Sequence, residues 1–81
     1  MIYEVRVQLK KDVLNVEAKE VLSAVKSQGF SSVSSIQTAK LFVLEVEGSE
    51  SESLAVVTKA AKEILTNEVI ENFYITKVNE A

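Results

Sequence analysis

Paired carboxylates are the first groups in this sequence whose spacing could do chemistry. Glu45 and Glu47 lie two positions apart on a predicted strand, so their side chains share a face and could offer oxygen ligands to a metal. Glu50 and Glu52 lie in the first turn of a predicted helix, where capping and the helix dipole account for them. A solvated sheet rim is the better interpretation of the first pair, and we predict no metal site.

Catalytic side chains are otherwise missing. The chain has no histidine and no cysteine, so the usual general base and the usual soft nucleophile are absent. None of its nine serines lies in a Gly-x-Ser-x-Gly elbow, and two glycines are too few for a phosphate-binding loop. The same composition excludes a structural zinc and a disulfide framework. We predict no catalytic residue and no cofactor bound by this chain alone.

The charges also exclude some partners. Nine Lys and Arg residues are scattered along the chain and the net charge is -3, so we predict no nucleic-acid partner. Arg6, the one arginine, is expected to pair with a glutamate of a neighbouring strand or subunit. No apolar run has the length of a membrane span, and the first residues lack the regions of a signal peptide. These observations predict a cytoplasmic protein with no membrane partner.

The first half of the chain predicts a strand followed by a helix. Residues 2–9 alternate between apolar and polar side chains, which is the period of a half-buried strand. Asn15 is a suitable N-cap for a helix of about 13 residues whose apolar stripe repeats at i, i+3, i+4 and i+7. Gly29 follows the stripe and is predicted to end the helix in a left-handed conformation.

The second half predicts two strands, a helix and a last strand. The strands are residues 33–38 and Leu41–Val46, with a tight hairpin at Ala39-Lys40 between them. Ser49 and Glu52 have capping-box spacing at the start of a helix that Thr66-Asn67 ends. The β-favouring residues of Ile70–Val78 predict a final strand.

This order of elements predicts a fold class. Strand, helix, strand, strand, helix, strand over residues 1–81 is a single α+β domain of the ferredoxin-like βαββαβ type. Two helices would cover one face of the antiparallel sheet. The other face would expose apolar side chains of the Leu41–Val46 strand, so we expect it to pair with another copy through its face or its edge.

Three blocks of sequence carry a family resemblance. They read V-x-V-x-L-K-x-x-V-L-N at residues 5–15, G-F then V-x-x-I-Q-T-A-K-L-F-V-L-E-V within residues 29–46, and I-L-T-N-E-V-I-E-N-F at residues 64–73. In this order they resemble the PurS family, the small subunit of phosphoribosylformylglycinamidine (FGAM) synthase. Four positions depart from the family pattern, each at a turn: Asp12 and Ala39 stand where the family has Gly, and Val16 and Glu68 where it has Pro.

The resemblance implies a role in an assembled ligase. It implies that a PurL-like synthetase subunit makes FGAM with ATP and magnesium, while a PurQ-like glutaminase subunit releases ammonia from glutamine. PurS-like subunits would bridge the two, support ammonia transfer, and form a dimer or tetramer. The matched positions that could dock partners are Lys10, Val13, Leu14, Asn15, Lys40, Asn67, Val69, Ile70 and Glu71.

Local roles compete with docking at several of these positions. Asn15 could simply cap a helix, Asn67 could end one, and Val69 and Ile70 could pack inward. Two other functions also stay open. An ACT-like dimeric module would bind amino acids, although such modules have Gly in the first loop, which is absent here. An acylphosphatase-like enzyme would need Arg in a phosphate loop, whereas Arg6 is mid-strand.

Overall fold

A computed structural model describes residues 1–78 of the chain. Its three strands form one antiparallel sheet in the order β2-β1-β3. The predicted single domain of residues 1–81 therefore extends three residues beyond the described ones. The elements are β1 (Ile2–Leu9), α1 (Val16–Ser27), β2 (Ala39–Glu45), α2 (Glu50–Ala60), a π-helical turn (Ala61–Leu65) and β3 (Glu71–Val78).

The central strand β1 supplies most of the core. Its alternation points Tyr3, Val5 and Val7 to one face, where all three are buried. Val5 lies opposite Phe42 of β2 and Ile75 of β3, so the core continues across the sheet. The predicted strand at residues 2–9 is confirmed.

Helix α2 covers this buried face. The hydroxyl of Ser49 accepts the N–H of Glu52 at 3.3 Å, which confirms the predicted cap. The helix buries Ser53 and Val57 and continues into the π turn, which buries Ala61. Ile64 is exposed, although it follows Val57 and Ala61 at helical spacing in the sequence. The wider π turn changes the angular spacing after Ala61, so the 3.6-residue period no longer applies there.

The predicted hairpin at Ala39-Lys40 is wrong. Both residues belong to β2, and residues 33–38 form no strand, so the sheet of the described residues, 1–78, has three strands rather than four. A two-residue type I′ hairpin needs positive φ at both central positions. Within residues 1–78 only Gly29 and Gly48 have positive φ. The α+β class, the antiparallel sheet and the two helices are confirmed.

Helix α1 lies outside the core. Only Ala18 of this helix is buried, and no α1 residue belongs to the core cluster or packs against it. Its C-terminus is nevertheless well formed: Gly29 has φ 99°, and the Phe30 N–H donates to the Val25 carbonyl at 3.3 Å, as in a Schellman motif. The predicted glycine cap is confirmed. We call residues 16–37 the arm.

The arm gives the molecule an open shape. The Cα atoms extend 49 × 33 × 13 Å, whereas a strand of eight residues spans only about 27 Å. The radius of gyration is 16.1 Å, against about 12 Å for a compact chain of this length. No helix within residues 1–78 is long and apolar enough to cross a membrane.

Candidate functional site

The predicted docking residues gather at one end of the sheet, where β1 ends and β3 begins. The Lys10 N–H donates to the Ile70 carbonyl at 2.9 Å, and Lys40 Nζ lies 3.9 Å from Glu71 Oε2. Loops far apart in sequence therefore meet at this end. We call the following nine residues the sheet-end surface: Lys10, Val13, Leu14, Asn15, Lys40, Asn67, Val69, Ile70 and Glu71.

The first loop of this surface is held by Asn15. The Asn15 Oδ1 accepts the Ala18 N–H at 3.0 Å, so the predicted helix cap is confirmed. The same side chain also donates from Nδ2 to Thr38 Oγ1 at 2.9 Å, a contact that the sequence did not reveal. Asn15 thus has a structural role, and it leaves the neighbouring Leu14 exposed.

The corner between the π turn and β3 forms a closed hydrogen-bonded ring. The Asn67 carbonyl accepts the N–H groups of Ile70 at 3.1 Å and Glu71 at 2.7 Å. In return Glu71 Oε1 accepts the Asn67 N–H at 2.8 Å, and Asn67 Oδ1 accepts the Val69 N–H at 3.1 Å. The ring fixes the corner, and Val69 stands out from it with 82% of its surface exposed. The alternative that Val69 and Ile70 pack inward is wrong.

An ion pair crosses β1 beside this corner. Lys40 lies opposite Val7 and Glu71 opposite Leu9, so the two side chains meet over the central strand on its core-facing side. The Lys40 side chain is 68% exposed and that of Glu71 13%. An ion pair with one solvated partner contributes little to the stability of the fold. The Lys40 ammonium can therefore leave Glu71 and pair with a carboxylate of another chain at a small cost in free energy.

The sheet-end surface contains a shallow cavity of about 400 Å³. Its walls combine apolar side chains with a few polar groups, which suits an inserted side chain or loop better than a reaction. Within residues 1–78 no group of three or more acidic, cysteine or histidine side chains could hold a metal. The lining includes Leu9, Leu14, Val16, Thr38, Lys40 and Glu71.

The face of the sheet opposite α2 is open. Arg6 lies over the ring of Tyr74, 4.8 Å from its centroid. Within residues 1–78 it forms no ion pair with a glutamate of a neighbouring strand, and pairing with a glutamate of another subunit stays a prediction. Leu41 and Val43 on β2 are exposed on the same face. Glu45 is the last residue of β2 and Glu47 lies beyond it, and both are exposed.

The fold and this surface define a class: a small α+β domain with a three-stranded antiparallel sheet, at one end of which the apolar side chains of Leu14 and Val69 are exposed. Comparison with known families matches residues 2–79 to PurS, phosphoribosylformylglycinamidine (FGAM) synthase. The chain belongs to the PurS family, as its sequence blocks indicated.

Individual relatives agree with this assignment. The chain is 35% identical over 70 residues to phosphoribosylformylglycinamidine synthase subunit PurS of Methanocaldococcus jannaschii, covering 85% of this chain and 84% of that protein. The crystal structure of Methanocaldococcus jannaschii PurS, one of the subunits of formylglycinamide ribonucleotide amidotransferase in the purine biosynthetic pathway, matches with a TM-score of 0.86 at 31% identity. That match covers 96% of this chain and 98% of the other.

A third match shows the fold alone. A chain of PurLQS from Thermotoga maritima superimposes with a TM-score of 0.75 at 17% identity, covering 96% of this chain and 99% of that one. None of these three matches supports the ACT-like alternative.

Proposed function

We propose that this chain is the non-catalytic small subunit of FGAM synthase in purine biosynthesis. It bridges a PurL-like synthetase subunit and a PurQ-like glutaminase subunit and supports the transfer of ammonia between them. The observation that carries this proposal is the family match, which spans residues 2–79. The Methanocaldococcus jannaschii relatives support it, because both are described as subunits of that enzyme.

The sheet-end surface is the part of the chain that suits docking. It presents Leu14 and Val69, exposed by 66% and 82%, beside the exposed ammonium of Lys40. Apolar side chains next to a charge that can change partners are typical of protein interfaces. The Asn67–Glu71 ring keeps Val69 in place before binding, which lowers the entropy lost on association.

The chemistry of the reaction then belongs to the other subunits. ATP and magnesium are used by the synthetase subunit, and the chain itself binds no cofactor. Its contribution is to hold two active sites in a fixed relation, so that ammonia released at one reaches the other. The proposal places the assembly in the cytoplasm.

Co-elution tests the docking part of the proposal. Purified chain, synthetase subunit and glutaminase subunit are mixed with glutamine, ATP and magnesium and run through a sizing column. The proposal predicts one peak that contains all three chains. A Val69→Glu variant should leave that peak, whereas Val56→Glu, at an exposed position of α2, should stay in it. Separate elution of the unmodified chain under these conditions would contradict the proposal.

A further inference from the structure

A second cavity lies beside the open face of the sheet, where the arm meets the strand ends. Its volume is about 560 Å³, within the range of about 300–1,000 Å³ that is typical of small-molecule sites. Gln8 and Asn72, which are in register on neighbouring strands, belong to its wall on the sheet side. The loop after β1 and residues 36–38 before β2 form the other walls. The cavity therefore combines parts of the chain that are distant in sequence.

The charged groups of this cavity are all positive. Lys10 and Lys11 line it, and no aspartate or glutamate of residues 1–78 does. The chain as a whole has 12 acidic and 9 basic residues, so the sign of the cavity is opposite to that of the net charge of -3. A concave site lined by charges of one sign concentrates ligands of the other sign. The lining therefore favours an anionic ligand.

Lys10 is the charged group that gains most from an anion. The residue is half-buried, and among residues 1–78 its side chain forms neither an ion pair nor a hydrogen bond. Removing an ammonium from water without a compensating charge costs free energy, so a bound anion would offset that cost. The Lys10 backbone N–H donates to the Ile70 carbonyl at 2.9 Å, which fixes the position of the residue at the end of β1.

The carboxylates around the cavity do not neutralise it. Glu71 lies on the core-facing side of β3, where its Oε2 is 3.9 Å from Lys40 Nζ and its Oε1 accepts a backbone N–H. Asp12 and Glu68 line neighbouring cavities, but both residues are exposed, and within residues 1–78 neither forms an ion pair. Water screens exposed charges of this kind, so the ammonium of Lys10 remains available to a ligand.

Neutral hydrogen-bonding groups narrow the class of ligand. The side-chain amides of Gln8, Gln37 and Asn72 line the cavity and form no hydrogen bond within residues 1–78, so their donors and acceptors are available. Such groups suit the hydroxyls of a polar ligand. Two ammonium groups match a ligand with about two negative charges, which a phosphate monoester carries near pH 7 and a single carboxylate does not.

We propose that this cavity binds a small polar molecule that carries a phosphate monoester. Lys10 and Lys11 hold the phosphate, and the amides of Gln8, Gln37 and Asn72 bind the polar body of the ligand. Of the sheet-end surface the site uses the ammonium of Lys10, and it lies on the other side of the sheet from the ion pair of Lys40. The proposal does not depend on the bridging role, and the chain alone is enough to test it.

Titration of the isotope-labelled chain, followed by NMR at one fixed chain concentration, tests this site. The probes are glucose 6-phosphate, glucose as its uncharged counterpart, and inorganic phosphate as the free ion. We expect glucose 6-phosphate to shift the backbone amide signals of residues 8–11, 36–38 and 72 in a saturable way. Its affinity should exceed that of inorganic phosphate about tenfold, because only the ester also reaches the amides, and glucose should cause no saturable shift.

Matched variants separate this site from general attraction between charges. Lys10→Gln removes the half-buried ammonium and should weaken binding of glucose 6-phosphate about tenfold, whereas Lys59→Gln removes an exposed ammonium on α2 and should weaken it less than about twofold. Asn72→Asp places a carboxylate in the cavity and should abolish saturable binding. Thr76→Asp adds the same charge farther along the same face of β3 and should preserve it. The NMR spectrum also shows that each variant is folded.

Three results would overturn the proposal. The first is the absence of saturable binding of glucose 6-phosphate. The second is equal affinity for inorganic phosphate and for the ester, which would make the cavity a site for an adventitious ion only. The third is an equal effect of Lys10→Gln and Lys59→Gln, which would show that the ligand responds to the overall charge of the chain rather than to this cavity.

Discussion

Asn15 Nδ2 donates to Thr38 Oγ1 at 2.9 Å, and this hydrogen bond joins the two ends of the arm. The residues are 23 positions apart, and each borders a regular element: Asn15 caps α1, and Thr38 precedes β2. The same asparagine accepts the Ala18 N–H, so one side chain both starts the helix and closes the loop that contains it. The direction of the arm thus depends on a contact between side chains rather than on backbone pairing.

Removing the Thr38 hydroxyl, which accepts this hydrogen bond, should loosen the junction between the arm and the sheet. Thr38→Val keeps the shape of the side chain but leaves the partly buried Asn15 amide without this partner, which should lower the free energy of unfolding by about 1 kcal/mol. Thr76→Val, at an exposed position of β3, is the matched control and should change it by less than about 0.5 kcal/mol. Denaturant unfolding at a fixed chain concentration measures both. Equal effects of the two substitutions would show that the hydrogen bond between Asn15 and Thr38 does not stabilise this junction.

A polar pair inside the core gives a second prediction. The Tyr3 hydroxyl and Ser53 Oγ lie 3.0 Å apart, and both residues are buried. Tyr3→Phe and Ser53→Ala should each lower the free energy of unfolding by about 1 kcal/mol, because each leaves a buried hydroxyl short of a partner. The double variant should cost less than the sum, since each single variant already removes the hydrogen bond between the two hydroxyls. Strict additivity in this cycle would show that the two groups do not interact.

Neighbouring valines on α2 allow a matched comparison of burial. Val57 is fully buried in the core, whereas Val56 is 55% exposed. Val57→Ala should cost about 2 kcal/mol, because it removes buried methyl groups and leaves a cavity, and Val56→Ala should cost less than about 0.5 kcal/mol. Thermal and denaturant unfolding of the pair would show the difference. A similar cost at both positions would mean that α2 is rotated relative to its position in this structure.

Glycine at the end of α1 gives a backbone prediction. Gly29 has φ 99°, and a Cβ atom there would meet nothing within 4 Å. Gly29→Ala should therefore destabilise the protein by about 1–2 kcal/mol through backbone strain alone. Gly29→Asn should cost less, because asparagine tolerates the left-handed region better than alanine. If alanine proved the milder substitution, the Schellman ending of the helix would be wrong.

The sequence was sufficient where local chemistry decides the structure. The Asn15 and Ser49 caps and the Gly29 ending rest on contacts within a few residues, and the alternation in residues 2–9 is a local pattern of side-chain types. These features were predicted and are confirmed. The family was also predicted correctly, because its sequence blocks extend over most of the chain.

The sequence was a poorer guide to features that depend on distant parts of the chain, such as which side chains face the core and which strands pair. Ser53 faces the core while its apolar neighbour Leu54 is exposed, because the buried Ser53 hydroxyl lies 3.0 Å from the Tyr3 hydroxyl and donates to the Glu50 carbonyl at 3.1 Å. Residues 33–38 have the composition of a strand, but within residues 1–78 no strand pairs with them. A strand needs a ladder partner, and whether one is available depends on the whole topology.

The candidate site was predicted as a set of positions but not as a surface. The nine residues do meet at one end of the sheet, through the Lys10–Ile70 and Lys40–Glu71 contacts. The sequence did not reveal the Asn67–Glu71 ring, because it depends on a corner whose geometry follows from the π turn before it. The docking role of these residues stays a prediction.

Reconstitution tests the bridging role most directly. The synthetase and glutaminase subunits are assayed with ATP and magnesium, with glutamine or with ammonia as the nitrogen source, in the presence and absence of this chain. We predict that glutamine-dependent FGAM formation requires the chain, whereas ammonia-dependent formation requires it much less. The Val69→Glu variant should lower the glutamine-dependent rate selectively, and Val56→Glu should not. Full glutamine-dependent activity without the chain would contradict the bridging role.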